Sequence, residues 1–206
     1  MPGARRYVEA SAAVAALDPV LAELHRLHGP MRVGPPAVGR DRFESLAHSI
    51  THQQLAGAAA RTIWSRVRTS VPGPFTPEAV LAVDEDALRA AGLSGAKTAA
   101  LRDLAAHVAD GRVRLDRMGR RTDDQVVAEL IRVRGIGPWT AEMFLMFTLH
   151  RLDVWPVGDL GVRNGWARAH GQLEPPSPDE LRVLGERFRP YRSVVAWYCW
   201  AAVDSP

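Results

Sequence analysis

Residues 131–143 read IRVRGIGPWTAEM. Val126, Val127, Leu130 and Ile131 are helix-spaced, so a helix runs into this stretch and is expected to end near Arg134. Gly135-Ile136-Gly137 then makes a turn, and Pro138, which has no N–H to lose, suits the first turn of a second helix. A glycine hairpin between two helices aims consecutive backbone N–H groups outward. With no side chain at Gly135 or Gly137, a phosphate can come close, so the hairpin can hold a nucleic-acid backbone without reading sequence. The glycines alone fit a plain helical corner equally well.

The flanking sequence has the same helical character. Asp18-Pro19, Asp41 with Glu44, Thr76-Pro77, Thr122 with Gln125, and Ser177-Pro178 with Glu180 all read as helix starts. Apolar residues at helical spacing follow, as in Phe43, Leu46, Ala47 and Ile50, and in Leu101, Leu104, Ala105 and Val108; these read as core stripes. Breaks fall at residues 29–39, 71–77 (VPGPFTP), Gly92, Gly111 and 174–178 (EPPSP). These signals predict about ten helices in an all-α protein.

Composition narrows the function classes. At 206 residues, 47% hydrophobic and 24% charged, the chain has the profile of a soluble globular protein. The single cysteine, Cys199, excludes an internal disulfide, a four-thiolate zinc site and a four-cysteine iron–sulfur cluster, and fits a reducing cytosol. Net charge is only +3, although a pI near 9.6 favours a nucleic-acid partner. Of 26 basic residues only Lys97 is a lysine, so a lysine nucleophile has one candidate. The N-terminal apolar run is too short to span a bilayer and makes a poor signal peptide, giving the expectation of a cytoplasmic protein with no membrane partner.

Beyond the second helix, residues 149–163 read LHRLDVWPVGDLGVR, a loop with Gly and Pro that carries Asp159 ahead of an apparent helix over 160–169. An acid at a helix start also reads as an N-cap. VRGIGPWTAEM (133–143) followed by WPVGDLGVRNG (155–165) resembles the signature of the helix-hairpin-helix DNA glycosylase superfamily, with its Gly/Pro-rich loop and catalytic aspartate. SITHQQLAGAAARTIWSRV (49–67), AGLSGAKTAALRDLA (91–105) and RPYRSVVAWYCW (189–200) extend the likeness and narrow it to the 3-methyladenine DNA glycosylase II group. The five matches run in order from about Phe43 onward.

The resemblance implies two helical lobes with the active-site cleft between them: a central lobe over about 40–155, and a second from about 10–39 plus 156–206. It puts the catalytic carboxylate on Asp159, where it would stabilise oxocarbenium character on the sugar of a flipped-out nucleotide. It puts the base pocket on Trp139, Met143 and Trp200, whose indole faces would stack on a cationic purine; relatives often have an aromatic residue in place of Met143. Trp197 and Tyr198 read as core. The DNA wedge falls on Gln54, with Leu55 beside it and His52 at the entrance, where relatives have glycine; Ala56 stands where they have serine. Phosphate binding falls on Gly135 and Gly137 with Thr140 as an added donor, and a structural Na+ or K+ could sit on the carbonyls of Ile131, Val133 and Ile136.

In lyases of the superfamily, a lysine stands where this chain has Trp139. That implies base excision without strand cleavage and leaves Lys97 as a solvated or phosphate-facing charge. The expected function is removal of alkylated purines from double-stranded DNA by a bacterial-type monomer that needs no cofactor. The competing reading is a catalytically silent module that recognises distorted duplex. Glu44, His48 and His52, spaced by four along one helix, also offer a metal site, without an HExxH pattern to support it.

Overall fold

The computed structural model describes residues 2–33, 42–55 and 57–204, which form twelve α-helices and two short 3-10 helices with no strand among them. No described helix is long and apolar enough to cross a membrane. The chain divides into two compact units: a terminal unit, Met1–Gly34 with Leu145–Pro206, and a central unit, Pro35–Phe144.

The central unit carries α3 (Arg42–His52), α4 (Gly57–Ser70), α5 (Pro77–Ala82), α6 (Glu85–Ala90), α7 (Gly95–Ala109), α8 (Asp123–Leu130) and the start of α9 (Pro138–Phe147). Its core forms where α3 packs on α4 and α7, and α5 on α7. The expected stripe of α3 is buried throughout: Phe43, Leu46, Ala47 and Ile50 are at most 2% exposed. On α7, Leu101, Leu104 and Ala105 are buried as expected, while Val108 near the helix end is half-buried.

The terminal unit carries α1 (Pro2–Leu17), α2 (Pro19–His28), α10 (Leu160–Ala169), α11 (Pro178–Gly185) and α12 (Arg192–Asp204). Here α10 and α12 touch backbone to backbone, because a Cβ on Gly165 would lie 1.9 Å from the Cys199 carbonyl oxygen. Residues 145–155, assigned from sequence to the central lobe, belong with this unit. Ser193 Oγ takes the Val154 N–H at 2.9 Å, and the Trp155 indole donates to the Leu181 carbonyl at 2.7 Å.

Four of the expected starts are capped. Asp18 accepts from the N–H groups of Val20 and Leu21, Thr76 accepts from Ala79, and Thr122 with Gln125 and Ser177 with Glu180 close reciprocal capping boxes. The start expected at Asp41 lies outside the described residues, as does Ala56. The helix count exceeds the expected ten because α5 and α6, at six residues each, are too short to display a full apolar stripe.

Candidate functional site

The hairpin opens earlier than its sequence suggests. Helix α8 stops at Leu130 rather than near Arg134, and the chain tightens into turns with Val133 N–H on the Leu130 carbonyl and Ile136 N–H on that of Val133, at 3.0 and 3.1 Å. Ile131 therefore lies outside the apolar face of α8 and is 45% exposed. Gly135 has φ +78°, and a Cβ there would meet the Ala100 methyl at 2.8 Å, so both backbone and packing require glycine. At Gly137 a Cβ would meet nothing within 4 Å. The amides of Gly135 and Gly137 find no acceptor among the described residues, and Arg132 and Arg134 are exposed on the same turn. Unpaired amides and nearby cationic side chains are the chemistry that takes an anion.

Beside the hairpin, α3 ends at His52 and the chain turns through Gln54, one of two described non-glycine residues in the left-handed region, with φ 54°. A non-glycine residue held in this region costs about 1 kcal/mol, and such strain clusters in functional loops. Gln54 and Leu55 are both exposed. A cavity of about 440 Å³ opens here, lined by His48, Ser49, His52, Gln53, Gln54, Trp139, Thr140 and Met143. It brings together five of the residues expected from sequence, with Trp139 47% exposed at its wall and Met143 one helical turn further along. Leu55 is not part of the lining.

Two expectations for this region change. Thr140 is only 3% exposed, and its hydroxyl lies 3.2 Å from Gln53 Nε2, because its side of α9 faces the end of α3; it is not placed to donate to a phosphate. The Glu44–His48–His52 metal reading also fails. The two imidazoles stack at 3.7 Å between centroids, Glu44 pairs with Arg68, and no metal-suited group of three or more His, Cys, Asp or Glu exists among the described residues. His52 Nδ1 lies 2.8 Å from the His48 carbonyl oxygen, which can only accept, so Nδ1 carries the hydrogen and Nε2 of the neutral ring is an acceptor.

Asp159 belongs to the terminal unit. The loop before it is anchored by Asp153, which takes a two-point contact from Arg192 at 2.8 and 3.0 Å, and by Trp155, whose indole nitrogen lies where a Cβ on Gly185 would come within 2.3 Å. Asp159 is the N-cap of α10, with Oδ1 accepting the Val162 N–H at 2.8 Å and the Trp200 indole N–H at 3.0 Å. It is 8% exposed. The capping and catalytic readings of this acid are therefore compatible, since one oxygen serves the helix and the carboxylate keeps a fixed orientation at its positive end. Trp200, expected as a pocket wall, also orients this carboxylate, and its ring lies against Phe147 at 6.0 Å. Tyr198 is buried, as expected, and Trp197 is half-buried. Burial, together with the Asp159 charge, pushes the Cys199 thiol well above its usual range, which makes it inert as a nucleophile.

Lys97 is half-buried and engaged by backbone carbonyls rather than standing as a free surface charge. Its Nζ donates to the carbonyls of Thr51 and Gln53 at 2.9 and 2.6 Å, and burial lowers its pKa. The Gln53 amide in turn donates to the Gly135 carbonyl at 3.0 Å. Sequence reasoning gave Gln53 no role, since nothing distinguishes two adjacent glutamines until the backbone turns between them. It also passed over Arg132 and Arg134, two among 25 arginines.

Comparison with known proteins agrees with this geometry. Residues 47–190 match the family model described as "HhH-GPD superfamily base excision DNA repair protein". DNA-3-methyladenine glycosylase 1 of Schizosaccharomyces pombe is 33% identical over 189 residues, 89% of this chain and 82% of that protein. The solved structure of a 3-methyladenine DNA glycosylase from the same yeast, in complex with abasic DNA, superposes with a TM-score of 0.82 at 31% identity, covering 93% of this chain and 95% of that one. A DNA-3-methyladenine glycosidase from Bacillus halodurans gives 0.83 at 34% identity, covering 94% and 88%. With the hairpin, the capped aspartate and a family match over most of its length, the chain belongs to the HhH-GPD superfamily of base excision DNA repair proteins.

Proposed function

We infer that the protein is an alkylbase DNA glycosylase of base excision repair, which turns an N-alkylated purine out of duplex DNA and hydrolyses its N-glycosidic bond to leave an abasic site. The observation that carries this reading is Asp159, a carboxylate nine-tenths buried and held by two N–H donors at the head of α10. Alkylation makes the purine cationic, so the C1′–N bond breaks with its electron pair going to the base and little protonation is needed. Positive charge grows on the sugar, and the Asp159 carboxylate stabilises it. Water then adds to C1′ and gives its proton to solvent.

The other roles follow from the central unit. The amides of Gly135 and Gly137, with Arg132 and Arg134, take a phosphate of the strand. Gln54 fills the gap left by the turned-out nucleotide, and Leu55 supports it. Trp139 offers a π face to a cationic base, with Met143 as an adaptable wall beside it. Trp200 orients Asp159 within the terminal unit. His52, with Nε2 as an acceptor, suits the guanine amino group, the donor that the minor groove presents. The carbonyls of Ile131 and Ile136 accept no hydrogen bond among the described residues, and that of Val133 has one lone pair left, so this turn can hold Na+ or K+ and stiffen the hairpin. Lys97 is engaged by two carbonyls and Trp139 is no nucleophile, so the strand is left uncut. The protein acts as a cytoplasmic monomer.

Excision from a duplex of methylated purines tests the reading. The wild type releases base and Asp159→Asn does not; equal background rates would leave only a silent duplex-binding module.

A further inference from the structure

Lys97 stands out because a lysine without a carboxylate within 4 Å among the described residues is half-buried. Its partners are the carbonyl of Thr51, in the last turn of α3, and that of Gln53, just beyond the helix. A cation at a helix C-terminus satisfies orphan carbonyls and the negative end of the dipole. Here it does so immediately before Gln54, whose backbone is left-handed. The next constraint is on the other side of the same peptide run. The Gln53 side chain reaches the hairpin, donating to the Gly135 carbonyl at 3.0 Å and lying 3.2 Å from the Thr140 hydroxyl. The carbonyl can only accept, so the amide group must face it.

From this arrangement we propose that Lys97 and Gln53 are positioning residues which lock the wedge loop to the hairpin, so that hairpin binding to a phosphate presents Gln54 already set for insertion. Neither residue touches the reacting atoms. Lys97 fixes the loop through its carbonyls, and Gln53 ties it to the turn whose amides face the strand. The arrangement lowers the ordering that wedge insertion would otherwise require during flipping. It also accounts for the chain's one lysine standing at the start of α7: a compact three-donor tip reaches the carbonyls of residues two apart, which a planar guanidinium fork does not match as well. The inference rests on the glycosylase reading and on Gln54 as the wedge.

The test separates flipping from chemistry. Single-turnover excision of one methylated purine is measured in two duplexes, one with its normal partner and one with an abasic spacer opposite. The second lesion is already unpaired, so wedge insertion matters less to its rate. The ratio of paired to spacer rates is expected to fall about tenfold in Lys97→Met and in Gln53→Ala, as for a loss of roughly 1.4 kcal/mol of flipping free energy. Lys97→Arg restores part of it. Thermal melting confirms that each variant is folded, and if Lys97→Met fails to fold, Gln53→Ala carries the test. An unchanged ratio in a folded variant, or an equal loss on both duplexes, overturns the clamp. Absence of excision by the wild type on either duplex would instead overturn the glycosylase reading.

Discussion

The bond from the Trp200 indole to Asp159 invites a direct perturbation. Trp200→Phe keeps one aromatic ring on the side of Phe147, 6.0 Å away, and removes the N–H that lies 3.0 Å from Oδ1 together with the second ring of the indole. The Val162 N–H still caps the same oxygen, so α10 keeps its start and melting should shift little. A hydrogen bond to a charged group contributes about 1.5–3 kcal/mol. If the bond acts by holding the carboxylate toward the developing charge, that energy appears in the chemical step, as a fall of about one to two orders of magnitude. Single-turnover excision reads this directly. Binding to product-like abasic duplex should stay within about threefold, since the bond contributes to the transition state rather than to docking. Wild-type excision by a folded Trp200→Phe would show that orientation through Trp200 is irrelevant. A parallel loss in binding would make Trp200 a pocket wall only.

Four further outcomes follow from the geometry. Gly137→Ala, where a Cβ meets nothing, should fold normally yet weaken duplex binding, whereas Gly135→Ala should lose stability as well, from φ +78° and the Ala100 contact; melting and titration at one salt concentration separate the two. Gly165→Ala forces a methyl into the Cys199 carbonyl and should cost about 3 kcal/mol or more, read as a lower denaturation midpoint. Asp18 is buried, which favours protonation, but the backbone N–H groups of Leu21 and Val20 and the nearby His170 hold its pKa below the usual carboxylate range. Its stabilisation is thus present above the unfolded-state pKa and lost as pH falls through the folded one, so Asp18→Ala should lose about 1 kcal/mol at neutral pH and less in acid. Borohydride reduction during turnover should trap no covalent complex with DNA; a trapped complex lost in Lys97→Met would mean that the lysine leaves its two carbonyls to react.

Much of the fold was legible because caps and stripes are local signals. Thr122 with Gln125 and Ser177 with Glu180 close the boxes that their spacing implies, and the α3 stripe is buried throughout. The end of α8 was misread because Ile131 continues the apolar period, while the turn demanded by Gly135 pulls the chain out of the helix four residues sooner. In the site, the resemblance of the motifs in order along the chain named Asp159, Trp139 and Gln54 as candidates. The tasks of Lys97, Gln53 and Thr140 depend on contacts 46, 82 and 87 residues apart in sequence, and no spacing rule carries those. The double use of Asp159, as cap and as oriented carboxylate, required the position of the Trp200 nitrogen.

The most direct measurement is single-turnover release of a methylated purine by wild type and Asp159→Asn, on one duplex at one salt concentration. Asparagine caps a helix about as well as aspartate, so the variant should melt with the wild type and bind the duplex alike. The account predicts release by the wild type and a loss of about two orders of magnitude or more in the variant. Equal rates in two equally folded proteins would contradict it.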